Sequence, residues 1–142
     1  MTTDIPFKIL SIGGEGYHLM AKIYINRKVS NVIIDTGAST TVFDKKRILK
    51  YVDTKKFDKH DNLSSGLGTN TMQSHFTEIK NMKIGNLKLA AYKTVLLDLS
   101  HVNKSYEQAK LTPIDGVLGG DILFKYNAVI DYSKKSLRLK IK

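Results

Sequence analysis

Short apolar-rich runs, broken by glycine, asparagine, serine and lysine, dominate this chain, a pattern that predicts strands rather than long helices. Phe7 to Ile12 reads as a first strand closed by Gly13-Gly14. Tyr17 to Ile25 is a longer strand, Asn26-Arg27-Lys28 a hairpin turn, and Val29 to Ile34 the returning strand. Thr41-Val42-Phe43 continues extended. Asp44 is placed to cap a short helix over Lys45 to Val52, with Ile48, Leu49 and Val52 on one side. Asp53 to Asn62 is polar and predicts a loop, and Leu63 to Thr71 is rich in glycine and serine. Gln73 to Met82 and Leu87 to Leu97 read as strands on either side of an Ile84-Gly85-Asn86-Leu87 turn. Leu99 to Leu111 is irregular or weakly helical and ends at Pro113. Ile114 to Tyr126 predicts a very short strand, two glycines, then a helix capped at Gly120 or Asp121. Asn127 to Tyr132 and Ser136 to Ile141 are the last strands, joined by Ser133-Lys134-Lys135. The sum is all-β in class, a barrel or sandwich with two or three short helices.

One junction stands apart from the alternation. Val32-Ile33-Ile34 is apolar throughout and ends abruptly at Asp35-Thr36-Gly37-Ala38-Ser39-Thr40. That predicts a buried strand delivering a carboxylate to a turn. Gly37 permits a backbone path that a Cβ would oppose, and the hydroxyl residues after it can bond the turn.

Composition narrows the chemistry around that carboxylate. At 142 residues the chain is one domain, 1–142, able to bury a core without covalent staples. Cysteine is absent, which excludes disulfides, a thiol nucleophile and thiolate-bound metal. His18, His60, His75 and His101 are scattered without metal-ligand spacing, so neither metal nor cofactor is expected. Lys and Arg total 23 against 13 acids, a formal charge of +10, but the excess is spread along the chain, as on a solvated surface. Nucleic-acid binding would want aromatics interleaved on one sheet face; Trp is absent and the seven Tyr and five Phe show no such pattern. No apolar run approaches the roughly 20 residues of a membrane span. Met1 to Pro6 lacks the charged start and apolar core of a signal peptide. Read as complete, the sequence is expected to be cytoplasmic; a removed leader stays open.

Asp35-Thr36-Gly37-Ala38-Ser39 after an aliphatic strand resembles the active-site loop of aspartic peptidases, both retropepsin and pepsin kinds. Val117-Leu118-Gly119 resembles the apolar-apolar-Gly segment that threads beside that loop. Val129-Ile130-Asp131-Tyr132 and Leu137-Arg138-Leu139 are similar to the end of such a lobe. The resemblance spans about residues 17 to 141. It implies a closed β-barrel of the retropepsin or pepsin-lobe type. It also implies an aspartic endopeptidase in which Asp35, Thr36 and Gly37 form the catalytic loop. Peptide would be held by Ala38, Ser39, Val117, Leu118 and a flap at Gly66, Leu67 and Gly68.

Hydrolysis of this kind needs two carboxylates sharing one proton, one acting on water and the other on the scissile carbonyl. The chain holds a single Asp-Thr-Gly. Asp115 lacks the following hydroxyl, Asp121 reads as a helix cap, and Asp131 sits mid-strand as a structural residue that points outward or pairs with a lysine. A two-fold homodimer would bring Asp35 together with its copy, with Thr36 bonding across the axis. The expected partners are therefore a peptide or protein substrate and a second copy, with no nucleic acid and no membrane. Two departures qualify the likeness. Ala38 stands where pepsin-like enzymes carry a hydroxyl that bonds the carboxylate, which predicts a mildly acidic optimum. Gly120 and Ser39 replace both partners of a salt bridge found in retroviral enzymes; hydrogen bonds from Ser39 and Asp121 are the expected substitutes. The alternative to an enzyme is a non-catalytic peptide-binding or scaffold module on the same fold.

Overall fold

The computed structural model describes residues 1–14, 16–52, 58–59 and 75–141. Among the described residues ten strands occur, in the order β1 Thr2–Ser11, β2 Tyr17–Ile25, β3 Lys28–Ile34, β4 Val42–Asp44, β5 Asp58–Lys59, β6 His75–Ile84, β7 Leu87–Leu97, β8 Gly116–Leu118, β9 Val129–Asp131 and β10 Ser136–Lys140. A 3₁₀ turn lies at Arg47–Lys50, and helices α1 and α2 span Ser100–Gln108 and Gly120–Lys125. The sheet order is β5-β6-β7-β4-β8-β3-β2-β1-β10-β9, and β6 pairs again with β2. That second pairing closes β2, β3, β8, β4, β7 and β6 into a six-stranded barrel, leaving β1, β10 and β9 as an antiparallel extension. The all-β expectation resolves to the closed barrel, not the sandwich.

Inside the barrel lie Leu19, Ala21, Ile23, Ile25, Val32, Ile34, Phe43, Ile79, Met82, Leu96 and Leu118, all buried. A second cluster sits on the barrel's outer face. Met20, Ile33 and Leu97 pack there under Leu99, Tyr106 and Ile114. Strands covered on both faces read as continuous apolar runs rather than alternating ones, which is why Val32-Ile33-Ile34 shows no polar position.

Several elements depart from the sequence reading. The first strand is longer than Phe7 to Ile12. Thr2 to Pro6 pairs with β10, then Phe7 to Ser11 changes partner to β2. Pro6 falls at that changeover, where its missing N–H is tolerated. The helix expected at Lys45 to Val52 is only the 3₁₀ turn. Ile48 and Val52 point inward, but Leu49 is 43% exposed, one position off their common side. Asp44 does cap this turn, accepting from the backbone N–H groups of Lys46 and Arg47 at 3.1 and 2.8 Å. Leu99 to Leu111 is a well-formed helix for most of its length. Asp98 accepts from Ser100 N–H at 2.9 Å at its start. Asn103 holds both backbone groups of Ile114 with its amide, at 3.0 and 2.8 Å. Asp131 ends β9 and takes the Ser133 hydroxyl and Lys134 N–H, so it closes the turn instead of pairing with a lysine ammonium. No helix among the described residues is long and apolar enough to cross a membrane.

Candidate active site

Two parallel strands lead to the site. β3 and β8 run side by side with Ile34 opposite Leu118, so Asp35 and Gly119 leave the barrel at the same level. β4 returns antiparallel to β8, pairing Val42 with Val117. The loop between β3 and β4 therefore begins and ends against one short strand.

Backbone bonds fix its path. Asp35 N–H donates to Leu118 O at 3.0 Å, Ala38 N–H to Asp35 O at 3.2 Å, and Gly120 N–H to Ala38 O at 2.6 Å. Gly37 N–H donates to the Asp35 carboxylate at 2.9 Å. The approach of the glycine segment is tight enough to require glycine. A Cβ on Gly119 would stand 2.6 Å from the carbonyl carbon and oxygen of Thr40, and 2.9 Å from Ala38 O. At Gly116 it would meet Val42 O at 2.6 Å.

The end of the loop is held by a polar clasp. Thr41 is fully buried. Its N–H and its hydroxyl both donate to Asp121 Oδ1, each at 2.8 Å. Its hydroxyl oxygen accepts from Gly119 N–H at 2.9 Å, and its carbonyl accepts from the Thr94 hydroxyl at 3.2 Å. Tyr92 donates to the other Asp121 oxygen. Burial first, then Asp121, pushes the Tyr92 hydroxyl well above the ordinary tyrosine range. This corrects the reading of Asp121 as a helix cap. The cap position of α2 is Gly119, without a side-chain bond, and the carboxylate turns back onto β4 because Thr41 offers it two donors. The expected substitute for the missing salt bridge thus involves Asp121 with Thr41.

Behind the loop lies an ion pair whose carboxylate is buried and whose arginine is half-buried. Asp115 is 2% exposed. It accepts from Asn31 N–H at 2.9 Å, Arg47 Nε at 2.8 Å and the Tyr51 hydroxyl at 2.9 Å. Burial, and then the bond to Asp115, pushes Tyr51 up to about 12. This fastens the start of β8 to β3 and to the 3₁₀ turn. In sequence Asp115 was set aside as a catalytic acid because no hydroxyl follows it, and nothing there signals this structural role.

The loop's other side faces outward. Asp35, Thr36 and Gly37 are exposed, as is Ser39, and Ala38 is half-buried. Beside Asp35 and Thr36 opens a cleft of about 330 Å³ whose walls include His18, Ile33, Val102, Ile114, Val117 and Tyr132. Val117 therefore reaches the cleft. Leu118 does not: its side chain is 0% exposed in the barrel core, and it touches the loop through its carbonyl. Gly66, Leu67 and Gly68 lie outside the described residues. His18 carries a further contact, its Nδ1 lying 2.7 Å from the hydroxyl of Tyr106. Tyr106 is buried, which pushes it up to about 12. Neither residue is signalled by the loop motif. The spacing Leu99, Val102, Tyr106 is the helical signal that could have placed Tyr106 on the barrel. Among the described residues no group of three or more His, Asp or Glu side chains could hold a metal ion.

Comparisons with known proteins agree with this geometry. Residues 21–122 match the family model described as aspartyl protease. A retropepsin-like aspartic protease from Rickettsia conorii superposes with a TM-score of 0.59 at 18% identity, covering 98% of this chain and 88% of its own. The retroviral protease-like domain of Ddi1 from Leishmania major gives 0.58 at 14% identity, over 86% of this chain and 87% of that one. The EIAV protease complexed with the inhibitor HBY-793 gives 0.55 at 19% identity, over 82% and 93%. Among curated proteins none matches the sequence. At these identities the solved structures bear on the fold alone, which they identify as retropepsin-like.

Proposed function

The chain belongs to the aspartyl protease family, and on that premise we propose that it is an endopeptidase whose catalytic pair is Asp35 from each of two copies. The observation that carries this reading is the Asp35 loop itself. Its barrel side is fixed by backbone bonds to Leu118 and Gly120, while its carboxylate end is exposed beside a cleft. A two-fold axis past Thr36 would face the two carboxylates. Tyr17 and Tyr132, 68% and 59% exposed, line the same cleft and would be covered. β9, which ends the sheet order, would lie towards the same axis.

Two carboxylates about 3 Å apart cannot both ionise, so the pair holds one proton. The ionised member takes a proton from water. The protonated member donates to the scissile carbonyl oxygen as the water oxygen bonds to its carbon. Collapse of the tetrahedral adduct breaks the C–N bond as one of its hydroxyl groups returns a proton to the pair, and the nitrogen leaves with the proton that the pair took from water. Substrate would lie extended over Gly37 and Ala38, with an apolar side chain against Val117.

The test is cleavage of an unbiased peptide mixture across pH, at two protein concentrations, with Asp35→Asn in parallel. Expected are cleavage that Asp35→Asn abolishes, a mildly acidic optimum, and a loss on dilution steeper than linear. Cleavage that survives Asp35→Asn would sink the assignment, and an optimum well below pH 4 would contradict the role given to Ala38. A folded protein that binds peptides but cuts none would favour a binding module on the same fold.

A further inference from the structure

The outer face of β1, β2 and β3 is only partly covered by α1. Met20 and Ile33 lie beneath the helix. After Gln108 the chain turns, with Lys110 at φ 59°, and Lys110 to Thr112 passes over the remainder of the face. Between them is a groove of about 580 Å³, separate from the Asp35 cleft. Lys8 stands opposite Met20 across β1 and β2, and Lys22 opposite Asn31 across β2 and β3.

Three ammonium groups (Lys8, Lys22 and Lys110) line this groove, and among the described residues no Asp or Glu does. They come from three different elements, so the local excess is made by the fold and not by one basic run. Its floor is apolar, with Leu10, Met20 and Val29, and Val29 is 48% exposed. A cationic rim over an apolar floor complements a ligand that carries carboxylates around an apolar side chain. A bare inorganic anion would leave the floor unused. Nucleic acid would lack stacking platforms there, because the groove's aromatic residue, Phe7, is 4% exposed. Strand addition at β3 is also disfavoured. Val29 O already accepts from Tyr51 at 3.0 Å and Asn31 N–H already donates to Asp115 at 2.9 Å. Recognition would therefore run through side chains.

We propose that this groove binds an acidic peptide segment bearing apolar side chains. Asn31 lies on β3 and Asp35 directly follows its end, four residues on and roughly 13 Å along the strand direction, so one protein ligand can occupy both places. Binding in the groove does not require the hydrolytic reading, and its test uses a protein in which hydrolysis has been removed.

The experiment measures fluorescence anisotropy of labelled peptides with the full chain carrying Asp35→Asn. The probes are a peptide alternating Glu and Leu, its Lys/Leu and Glu/Ser counterparts, and a single-stranded oligonucleotide of matched charge. Expected is binding of the Glu/Leu peptide that weakens at least tenfold in Lys8→Glu/Lys22→Glu and less than twofold in Lys80→Glu/Lys125→Glu. The Glu/Ser peptide should bind several-fold more weakly and the Lys/Leu peptide not at all. Equal losses in the two double variants would reduce the effect to overall charge and overturn the proposal. So would absence of binding, or an oligonucleotide that binds more tightly through the same lysines. If circular dichroism shows the groove variant unfolded, Lys8→Gln/Lys22→Gln takes its place, with a loss of three- to tenfold expected and an unchanged affinity overturning the proposal.

Discussion

Adding one methyl group at Gly119 tests how the site is built. Gly119 sits at φ −108°, ψ −172°, extended backbone open to any residue, so alanine brings no dihedral strain. What it brings is contact. Its Cβ would lie 2.6 Å from Thr40 C and O, and neither is the end of a flexible side chain. Relief to an ordinary separation requires a shift of roughly 0.4 to 0.8 Å between β8 and the Asp35 loop. Overpacking of this kind costs about 1–3 kcal/mol. Alanine offsets about 0.4–1 kcal/mol of that by restricting the unfolded chain, which leaves a net loss of about 1–2 kcal/mol. Gly120→Ala, whose Cβ would meet Ala38 O at 3.3 Å, should cost less, and Gly16→Ala, with nothing within 4 Å, should gain about 0.4–1 kcal/mol. Urea unfolding at one fixed protein concentration reads all three. If the chain hydrolyses peptides, kcat for Gly119→Ala should fall about tenfold or more, since a displacement near 1 Å at reacting groups can cost about a hundredfold. A Gly119→Ala protein as stable as Gly16→Ala would refute the close approach.

Three further outcomes follow from the polar groups. Asp121→Ala strands the Thr41 and Tyr92 donors and should cost about 2–3 kcal/mol. Asp121→Asn, which keeps an acceptor, should cost about 1 kcal/mol, and ultraviolet titration should show the Tyr92 pKa lowered. Asp115→Ala strips the half-buried Arg47, the Tyr51 hydroxyl and Asn31 N–H of their acceptor and should cost about 2 kcal/mol in urea unfolding, with Tyr51 titrating nearer 10 in Asp115→Asn. Tyr51 and Tyr106 both sit near 12 in the folded chain against about 10 unfolded. The unfolded state therefore releases their protons first, and their contribution is intact below pH 10 and lost as pH rises towards 12. Unfolding measured across that window should show a shallower decline in Tyr106→Phe than in the native sequence; identical slopes would exclude Tyr106 as a contributor.

What the sequence disclosed and what it hid divide along the range of the contacts. β2 and β7 were legible residue for residue, because period-two patterning and the adjoining turns are local. The Asp35 loop was legible for a related reason: an apolar strand, a carboxylate and a glycine are consecutive. The pairing of Thr2 to Pro6 with β10 was not, since its partner lies at the far end of the chain and Pro6 argues locally against a strand. α1 was read as irregular or weakly helical because it is mostly polar. Val102 and Tyr106 are its apolar share in the outer cluster, with Leu99 directly before its start. Asp115 and Asp121 illustrate a harder limit. A carboxylate beside glycine reads as turn chemistry, and nothing local reports that the fold sets two backbone or hydroxyl donors, an arginine or a tyrosine against it.

Those carboxylates and Asp35 also separate two jobs in one small barrel. Asp115 and Asp121 each meet several donors, and the groups they hold are the start of β8 and the end of the loop. Asp35 meets one N–H from its own loop among the described residues and is otherwise turned outward. The loop is thus held firmly on the barrel side by its neighbours' polar side chains and backbone, while its own carboxylate remains available. On the proposed reading, pairing with a second copy need not reshape a loop whose barrel side is already held by these bonds. It has only to bring another carboxylate up to it. Under the proposed function, that division gives stability to Asp115, Asp121 and Gly119, and chemistry to Asp35. Substitutions in the first set should therefore move unfolding and hydrolysis together, whereas Asp35→Asn should move hydrolysis alone.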